Sequence, residues 1–139
     1  MAIWQLTFML IPENEDFSQY SLNEKSFSLL SNIFPMRKDT SFYDKFWGDE
    51  DSSCVGIFYY NDSIDEINVR IDVRDYTVEQ LNAIVNFANA NHLQIFYNAK
   101  KIITTLENLQ MILTESDAYQ YNSNPRLFLE KKHKLNKKR

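Results

Sequence analysis

The 139-residue chain has few of the residues on which disulfide frameworks and common active sites depend. Its single cysteine, Cys54, excludes an intrachain disulfide bond, and a reducing compartment is the simpler interpretation. Its two glycines exclude the glycine-rich motifs that hold phosphates and dinucleotides. No apolar run approaches the roughly 20 residues of a membrane-spanning helix, and the apolar N-terminus has neither a basic region nor a small-residue cleavage site. We therefore expect a cytoplasmic protein with no membrane partner.

Catalytic and metal-binding residues are not grouped in the sequence. His92 is expected at the end of a helix, and His133 lies among lysines near the C-terminus. A Cys54–His92 dyad would supply a nucleophile and a base, but Cys54 opens an apolar strand, where a free cysteine is usually a small core residue. The acids of residues 49–51 are consecutive and lack the alternating ligand pattern of a calcium-binding loop. We predict no enzymatic activity, no metal and no cofactor.

Charge is unevenly distributed along the chain. Between Asp39 and Glu79 there are eleven acidic residues and three basic ones, a net charge of −8. Residues 126–139 reverse the sign, with seven Lys or Arg against Glu130. The other 125 residues carry 8 basic and 18 acidic groups and would repel a nucleic acid. We therefore expect a basic protein partner, no nucleic-acid partner, and a frayed tail over 126–139 that contacts the partner or aids solubility.

Hydrophobic periodicity predicts one α+β domain over residues 1–139, in which a mainly antiparallel sheet with a central hairpin is covered by three to four helices. The clearest strand pattern is the alternation of apolar and polar residues over Ile64–Arg74. The other predicted strands are Ile3–Ile11, Cys54–Tyr60 and Leu93–Tyr97. Helices are predicted over Asn23–Phe34 and after the N-caps Thr77, Thr104 and Asn124, the two threonines each opening a capping box.

Residues 37–53 are expected to form a loop in which aromatic side chains stand among acids. Trp47 is the predicted aromatic anchor for a partner, because binding hot spots favour tryptophan within a polar rim. The alternative is that the rings of this segment pack beneath the loop as part of the core. The predicted partner-binding surface combines this segment with acids on the hairpin: Trp47, Asp49, Glu50, Asp51, Asp62, Asp65 and Glu66.

Several segments are also similar in layout to a known group of proteins. They are Trp4-Gln-Leu-Thr-Phe8, Trp47-Gly48-Asp49, Ile67-Asn-Val-Arg-Ile-Asp-Val-Arg74, Leu93-Gln-Ile-Phe-Tyr97 and Asn124-Pro-Arg-Leu-Phe-Leu129. With them the chain resembles small cytosolic proteins encoded beside bacterial polymorphic toxins, among them the immunity proteins of contact-dependent growth inhibition. The shared features are structural, so no residue is carried over as a known contact.

The resemblance implies a non-enzymatic protein that binds the C-terminal toxin domain delivered by a neighbouring cell, as a 1:1 complex. Many such toxins are nucleases with basic clefts, and an acidic surface would match and cover such a cleft. The alternative is a non-enzymatic adaptor or regulatory binding module of another bacterial complex. A toxin gene immediately upstream would favour the first interpretation.

Overall fold

Seven strands form one antiparallel sheet in the computed structural model, which describes residues 4–18, 21–38, 43–127 and 129–130. Phe42 and residues 131–139 of the basic tail lie outside the described residues. The strands in chain order are β1 (Gln5–Pro12), β2 (Met36–Arg37), β3 (Lys45–Gly48), β4 (Cys54–Tyr60), β5 (Ser63–Asp72), β6 (Leu93–Tyr97) and β7 (Lys100–Ile102).

The order of the strands across the sheet is β2-β3-β4-β5-β1-β6-β7, so the β4–β5 hairpin lies in the middle, as predicted. Asn61 and Asp62 connect its strands and have φ angles of 50° and 64°. Two consecutive positive φ angles are typical of the tight turn whose twist matches the flanking strands. An irregularity in the register between Phe58 and Tyr59 precedes this turn.

One face of the sheet carries most of the core. The register places Leu6 opposite Ile71 and Val55 opposite Val69, so their side chains point to the same side. Ile67, Val69 and Ile71 of β5 are all buried, which confirms the alternation predicted for this strand. The helices that contribute residues to this core are α1 (Phe27–Ser31), α2 (Val78–Ala90) and α3 (Leu106–Glu115). A further helix, α4 (Asp117–Ser123), was not predicted.

Two of the three predicted N-caps are confirmed. Thr77 Oγ1 accepts from Gln80 N, and Gln80 Oε1 accepts from Thr77 N, which completes the capping box of α2. Asn124 Oδ1 accepts from Leu127 N, and residues 125–127 and 129–130 are helical. No helix among the described residues is long and apolar enough to cross a membrane.

The third N-cap prediction is wrong by one residue. Thr105, with φ −127°, caps α3 by accepting from Asn108 N. Thr104 is buried, and its hydroxyl donates to Leu93 O at 2.9 Å. The side chain of Thr104 therefore ties the start of α3 to β6 and is not free to cap the helix.

The segment predicted as a loop over residues 37–53 contains two strands. Arg37 belongs to the two-residue β2, and Lys45–Gly48 forms β3, which pairs with β4. A second hairpin was also missed: the chain turns at Asn98 and Ala99, and Lys100–Ile102 forms β7, which pairs with β6. Towards the N-terminus, the helix predicted over Asn23–Phe34 is a 3₁₀ turn, Glu24–Ser26, followed by the short α1.

Candidate partner-binding surface

The prediction that Trp47 is a surface anchor is wrong, because its side chain is fully buried, with 0% relative exposure. Pairing with Val55 places Trp47 on the helix-covered face of the sheet. Its Nε1 donates to Ser31 Oγ at 3.0 Å, and its ring centroid lies 5.2 Å from that of Phe27. The neighbouring Phe46 is buried on the opposite face against Tyr43. The alternative, that the rings of this segment pack into the core, holds for both residues.

Asp49, Glu50 and Asp51 are exposed in the turn between β3 and β4, which we call the acidic turn. Asp49 Oδ1 accepts from Asp51 N at 3.0 Å, and Asp49 O accepts from Ser52 N at 3.0 Å. Gln5 Nε2 donates to Glu50 O at 3.1 Å, which attaches the turn to β1. These bonds fix the backbone that carries three consecutive acids, at the end of the sheet where β3 leads into β4.

Gly48 is required for this turn. Its φ angle is +99°, a conformation that side chains disfavour. A Cβ added there would lie 2.3 Å from Ser53 O, which is backbone and cannot move aside without changing the turn. The acidic turn therefore depends on the one residue type that both the dihedral angle and the space admit.

Asp62, Asp65 and Glu66 lie at the other end of β4, so the predicted acids do not form one surface. Asp62 lies beyond the seven residues of β4, about 20 Å along an extended strand, and Glu66, opposite Phe58, lies about 14 Å along it from Cys54. Asp62 and Asp65 are exposed, and Glu66 is half-buried opposite Phe58.

The hairpin end also includes residues that the sequence did not single out. Asp16 and Tyr60 help to line a shallow cavity of about 440 Å³ there, and Tyr60 is 67% exposed. Asp16 accepts from Ser18 N and Oγ, and these hydrogen bonds lower the pKa of its carboxyl. The hairpin end is therefore a second acidic area with its own exposed aromatic ring.

A larger cleft of about 820 Å³ adjoins the acidic turn. Its lining includes residues 5–9 of β1, Asn68, residues 96–98 at the end of β6, and residues 115–118 where α3 meets α4. Gln5 joins the two features, since it lines the cleft and its amide holds Glu50 O. Glu115 and Asp117 are exposed on the far side, and no Lys, Arg or His is among the described residues that line it.

Sequence reasoning missed this cleft because its acids, Glu115 and Asp117, lie outside the acidic segment 39–79. Their position beside β1 depends on how α3 and α4 pack, for which no local pattern exists. The acidic turn and the cleft together form the area that we call the cleft end of the sheet. Its acids are Glu115 and Asp117, which line the partly apolar depression, and those of the acidic turn, which Gln5 connects to it.

Cys54 is not activated for nucleophilic chemistry. Burial raises the pKa of its thiol to about 11, while the nearby charge of Arg70 acts in the opposite direction. Cys54 pairs with Arg70, which lies opposite Thr7, whereas Leu93, next to His92, lies opposite Pro12. Pro12 lies five residues beyond Thr7, a distance of about 17 Å along the strand. The structure does not bring Cys54 and His92 together.

Asp72 and Arg74 form an ion pair near the cleft end. Arg74 donates to both carboxylate oxygens of Asp72, at 3.1 and 3.0 Å, and its guanidinium lies 4.2 Å from the Trp4 ring centroid. Burial opposes ionisation of Asp72, but the hydrogen bonds and charge of Arg74 outweigh it and lower the pKa of the carboxyl. Both carboxylate oxygens of Asp72 are thus bonded within the chain, and we assign this pair to stabilisation of the fold.

Comparisons with family models, with curated proteins and with solved structures found no match to this chain. Among the described residues there is also no group of three or more His, Cys, Asp or Glu side chains placed to hold a metal ion.

Proposed function

We propose that the protein is an immunity protein of a bacterial polymorphic toxin system, such as contact-dependent growth inhibition. It acts in the cytoplasm, has no catalytic activity of its own, and binds one cognate toxin domain as a 1:1 complex. The observation that supports this most directly is the acidic turn, whose three carboxylates are exposed. Gln5 holds this turn through Glu50 O and also lines the cleft of about 820 Å³, to which Glu115 and Asp117 contribute further acids.

Charge is the first part of the proposed mechanism. A toxin that cleaves nucleic acid needs a basic cleft to hold phosphates, and a row of carboxylates presents a similar pattern of negative charge. Opposite surface charges raise the rate of encounter, most strongly at low ionic strength. The acidic turn suits this role because its hydrogen bonds fix its conformation, so that less conformational entropy is lost on binding.

Shape is the second part. Met9 and Phe96 are half-buried beside the amide groups of Asn68 and Asn98, so that the depression offers both apolar area and hydrogen-bonding groups. Interfaces of stable complexes combine a desolvated centre with a charged or polar rim. We infer that the partner seats on the depression while its basic residues meet the surrounding carboxylates. Neutralisation follows because the toxin's basic cleft is then covered.

The experiment that tests this proposal uses the open reading frame next to the gene for this protein. The C-terminal domain that it encodes is expressed in bacterial cells with and without the protein, and growth is followed. We expect growth arrest by the domain alone, and restored growth and a co-purifying 1:1 complex when both are present. If the neighbouring domain is harmless, or remains toxic in the presence of the protein, the immunity proposal fails and an adaptor or regulatory role becomes the better explanation.

A further inference from the structure

The pairing of β1 with β6 stops halfway along β1. On one side, β1 pairs with β5 from Gln5 to Met9. On the other, it pairs with β6 only from Met9 to Pro12, because β6 ends at Tyr97 and the chain turns at Asn98. The N-terminal half of β1 is therefore an open edge inside a seven-stranded sheet, and this edge lines the cleft.

The direction of the backbone groups along this edge follows from one hydrogen bond. Val73 N donates to Trp4 O, so Trp4 directs its main-chain groups towards β5. Main-chain groups alternate in direction along a strand, so those of Gln5 and Thr7 point the other way, into the cleft. No backbone hydrogen bond within the described ranges pairs the Gln5 or Thr7 main chain across the cleft. Two N–H and two C=O groups are thus available to a further strand.

The outer edges of the same sheet offer much less to another chain. The edge strand β2 has two residues, and the edge strand β7 has three, with exposed Lys100 and Lys101. Short strands and lysines are common means of preventing pairing at a sheet edge. The open part of β1, Gln5–Phe8, has no lysine, and it lies beside a cavity within the size range of ligand-binding pockets.

We propose that an extended segment of the partner protein, carrying Lys or Arg side chains, adds to the sheet at Gln5 and Thr7, in line with β6. Main-chain hydrogen bonds to β1 would supply affinity, as in other cases of strand addition. The exposed carboxylate of Glu115, with no basic side chain among the described lining residues, favours a basic segment. This inference rests on the proposed function for the sign of the partner's charge.

A nuclear magnetic resonance titration tests the inference with a defined probe. The probe is a blocked pentapeptide of alternating lysine and valine, added to the full-length protein while amide exchange is followed. In the free protein we expect the amides of Gln5 and Thr7 to exchange faster than those of Leu6 and Phe8, which face β5. At a peptide concentration about ten times Kd, exchange at Gln5 and Thr7 should slow about tenfold, because only the unbound fraction exchanges.

Three matched controls make the result specific. The same peptide with N-methylated amides should lose the protection, and the same peptide with glutamate in place of lysine should not bind. Glu115→Gln removes one carboxylate from the last residue of α3, and it should weaken binding of the lysine peptide about two- to fivefold. Exchange at Leu6 and Phe8 should not change in any of these experiments.

Two results would overturn the inference. One is binding without slowed exchange at Gln5 and Thr7, or no binding at millimolar peptide. The other is slow exchange at both amides in the free protein, since the edge is then covered by the chain itself or by a second copy. The proposed function would survive either result if the neighbouring toxin domain is still neutralised, so the two failures are distinguishable.

Discussion

Trp47 and Cys54 are both residues whose chemistry invites a functional role, and burial assigns each of them to the core instead. The indole of Trp47 is fully buried and hydrogen-bonded to Ser31. The thiol of Cys54 is buried where its protonated form is favoured. A side chain that is covered on all sides stabilises the fold, but it cannot meet a partner or a reagent without local opening.

The reactivity of Cys54 gives the first prediction. With a folded-state pKa of about 11 against an ordinary value of 9.0, its thiolate fraction at pH 8 is about a hundredfold lower than in the unfolded chain. Labelling by a thiol-specific disulfide reagent at pH 8 should therefore be at least that much slower in native buffer than in urea. Labelling at comparable rates in the two conditions would contradict the burial of this side chain.

The same pKa fixes the sign of a pH effect on stability. Because the folded pKa is raised, the contribution of the protonated thiol to the free energy of unfolding is fully present below pH 9. It is lost as the pH rises towards 11, since the unfolded thiol ionises first. Burial also raises the pKa values of Tyr76 and Tyr97, so these phenols add to the loss in the alkaline range. Cys54→Ala should reduce, but not abolish, the decline.

A strained turn gives the second prediction. Asn98 and Ala99 connect β6 and β7 with φ angles of 51° and 58°. Asparagine tolerates this region, but alanine has a Cβ that crowds the following carbonyl, at a cost of roughly 1–2 kcal/mol. Ala99→Gly should therefore raise the free energy of unfolding by about 0.5–1 kcal/mol, after the greater entropy of glycine in the unfolded chain is counted.

Ala90→Gly is the matched control for this substitution. Ala90 is the exposed last residue of α2, where glycine should lower the free energy of unfolding by up to about 1 kcal/mol. Urea denaturation of the two variants beside the wild type measures both effects. If Ala99→Gly is no more stable than the wild type, the turn does not hold Ala99 in the strained conformation.

At the scale of elements, the helix caps show how a single hydroxyl position decides the start of a helix. Thr105 caps α3, whereas Thr104 bonds Leu93 O and joins that helix to β6. We predict that Thr77→Ala and Thr105→Ala each cost about 0.5–2 kcal/mol, and that Thr77→Ser and Thr105→Ser cost little because the hydroxyl remains.

Thr104→Ala tests the other half of this assignment. It should cost about 1–3 kcal/mol, because the buried Leu93 carbonyl then lacks a partner. Thermal melts of the five variants compare these effects directly. A neutral Thr105→Ala together with a destabilising Thr104→Ala would return the cap to Thr104.

The elements differ in how far local sequence determines them. The apolar runs of β4 and β6 are bounded by turn residues, and they predict both strands with the observed bounds. β3 has no such pattern, because Phe46 is covered by Tyr43 on one face and Trp47 by α1 on the other. A four-residue strand buried on both faces shows no alternation, and next to acids it has the composition of a loop.

The candidate site was predictable only in part. The acidic turn stands out in the sequence, and the seven-residue strand that follows it is itself a sign that Asp62 lies far away. The cleft could not be predicted, because it lies where β6 stops at Tyr97, short of the N-terminal end of β1. That relation between two strands depends on their register and on the packing of α3 and α4, which are set by contacts between distant residues.

At the scale of the whole molecule, two acidic areas of similar composition lie at opposite ends of the sheet. The cleft end has the acidic turn, Glu115 and Asp117, and the hairpin end has Asp16, Asp62, Asp65 and Glu66. Only the cleft end combines carboxylates with a large depression and an open strand edge. We therefore assign the partner to the cleft end, and the hairpin end supplies a comparison of nearly equal charge on the same molecule.

The measurement that tests this assignment most directly is the association rate with the neighbouring toxin domain, for two double charge reversals. Glu50→Lys/Asp51→Lys and Asp65→Lys/Glu66→Lys change the net charge equally, and both leave the turn residues Asp49 and Asp62 in place. Rates are compared between ionic strengths of about 0.01 and 0.15 M, over which the Debye length falls from about 30 to about 8 Å.

We predict that Glu50→Lys/Asp51→Lys slows association about tenfold or more at low ionic strength and weakens its dependence on salt. At about 0.15 M ionic strength, Asp65→Lys/Glu66→Lys should change the rate less than about threefold. Glu66 lies opposite Phe58, about 14 Å along β4 from Cys54, which is more than the Debye length of about 8 Å at that ionic strength. Equal slowing by both variants, or slowing by the hairpin variant alone, would contradict the assignment of the partner to the cleft end.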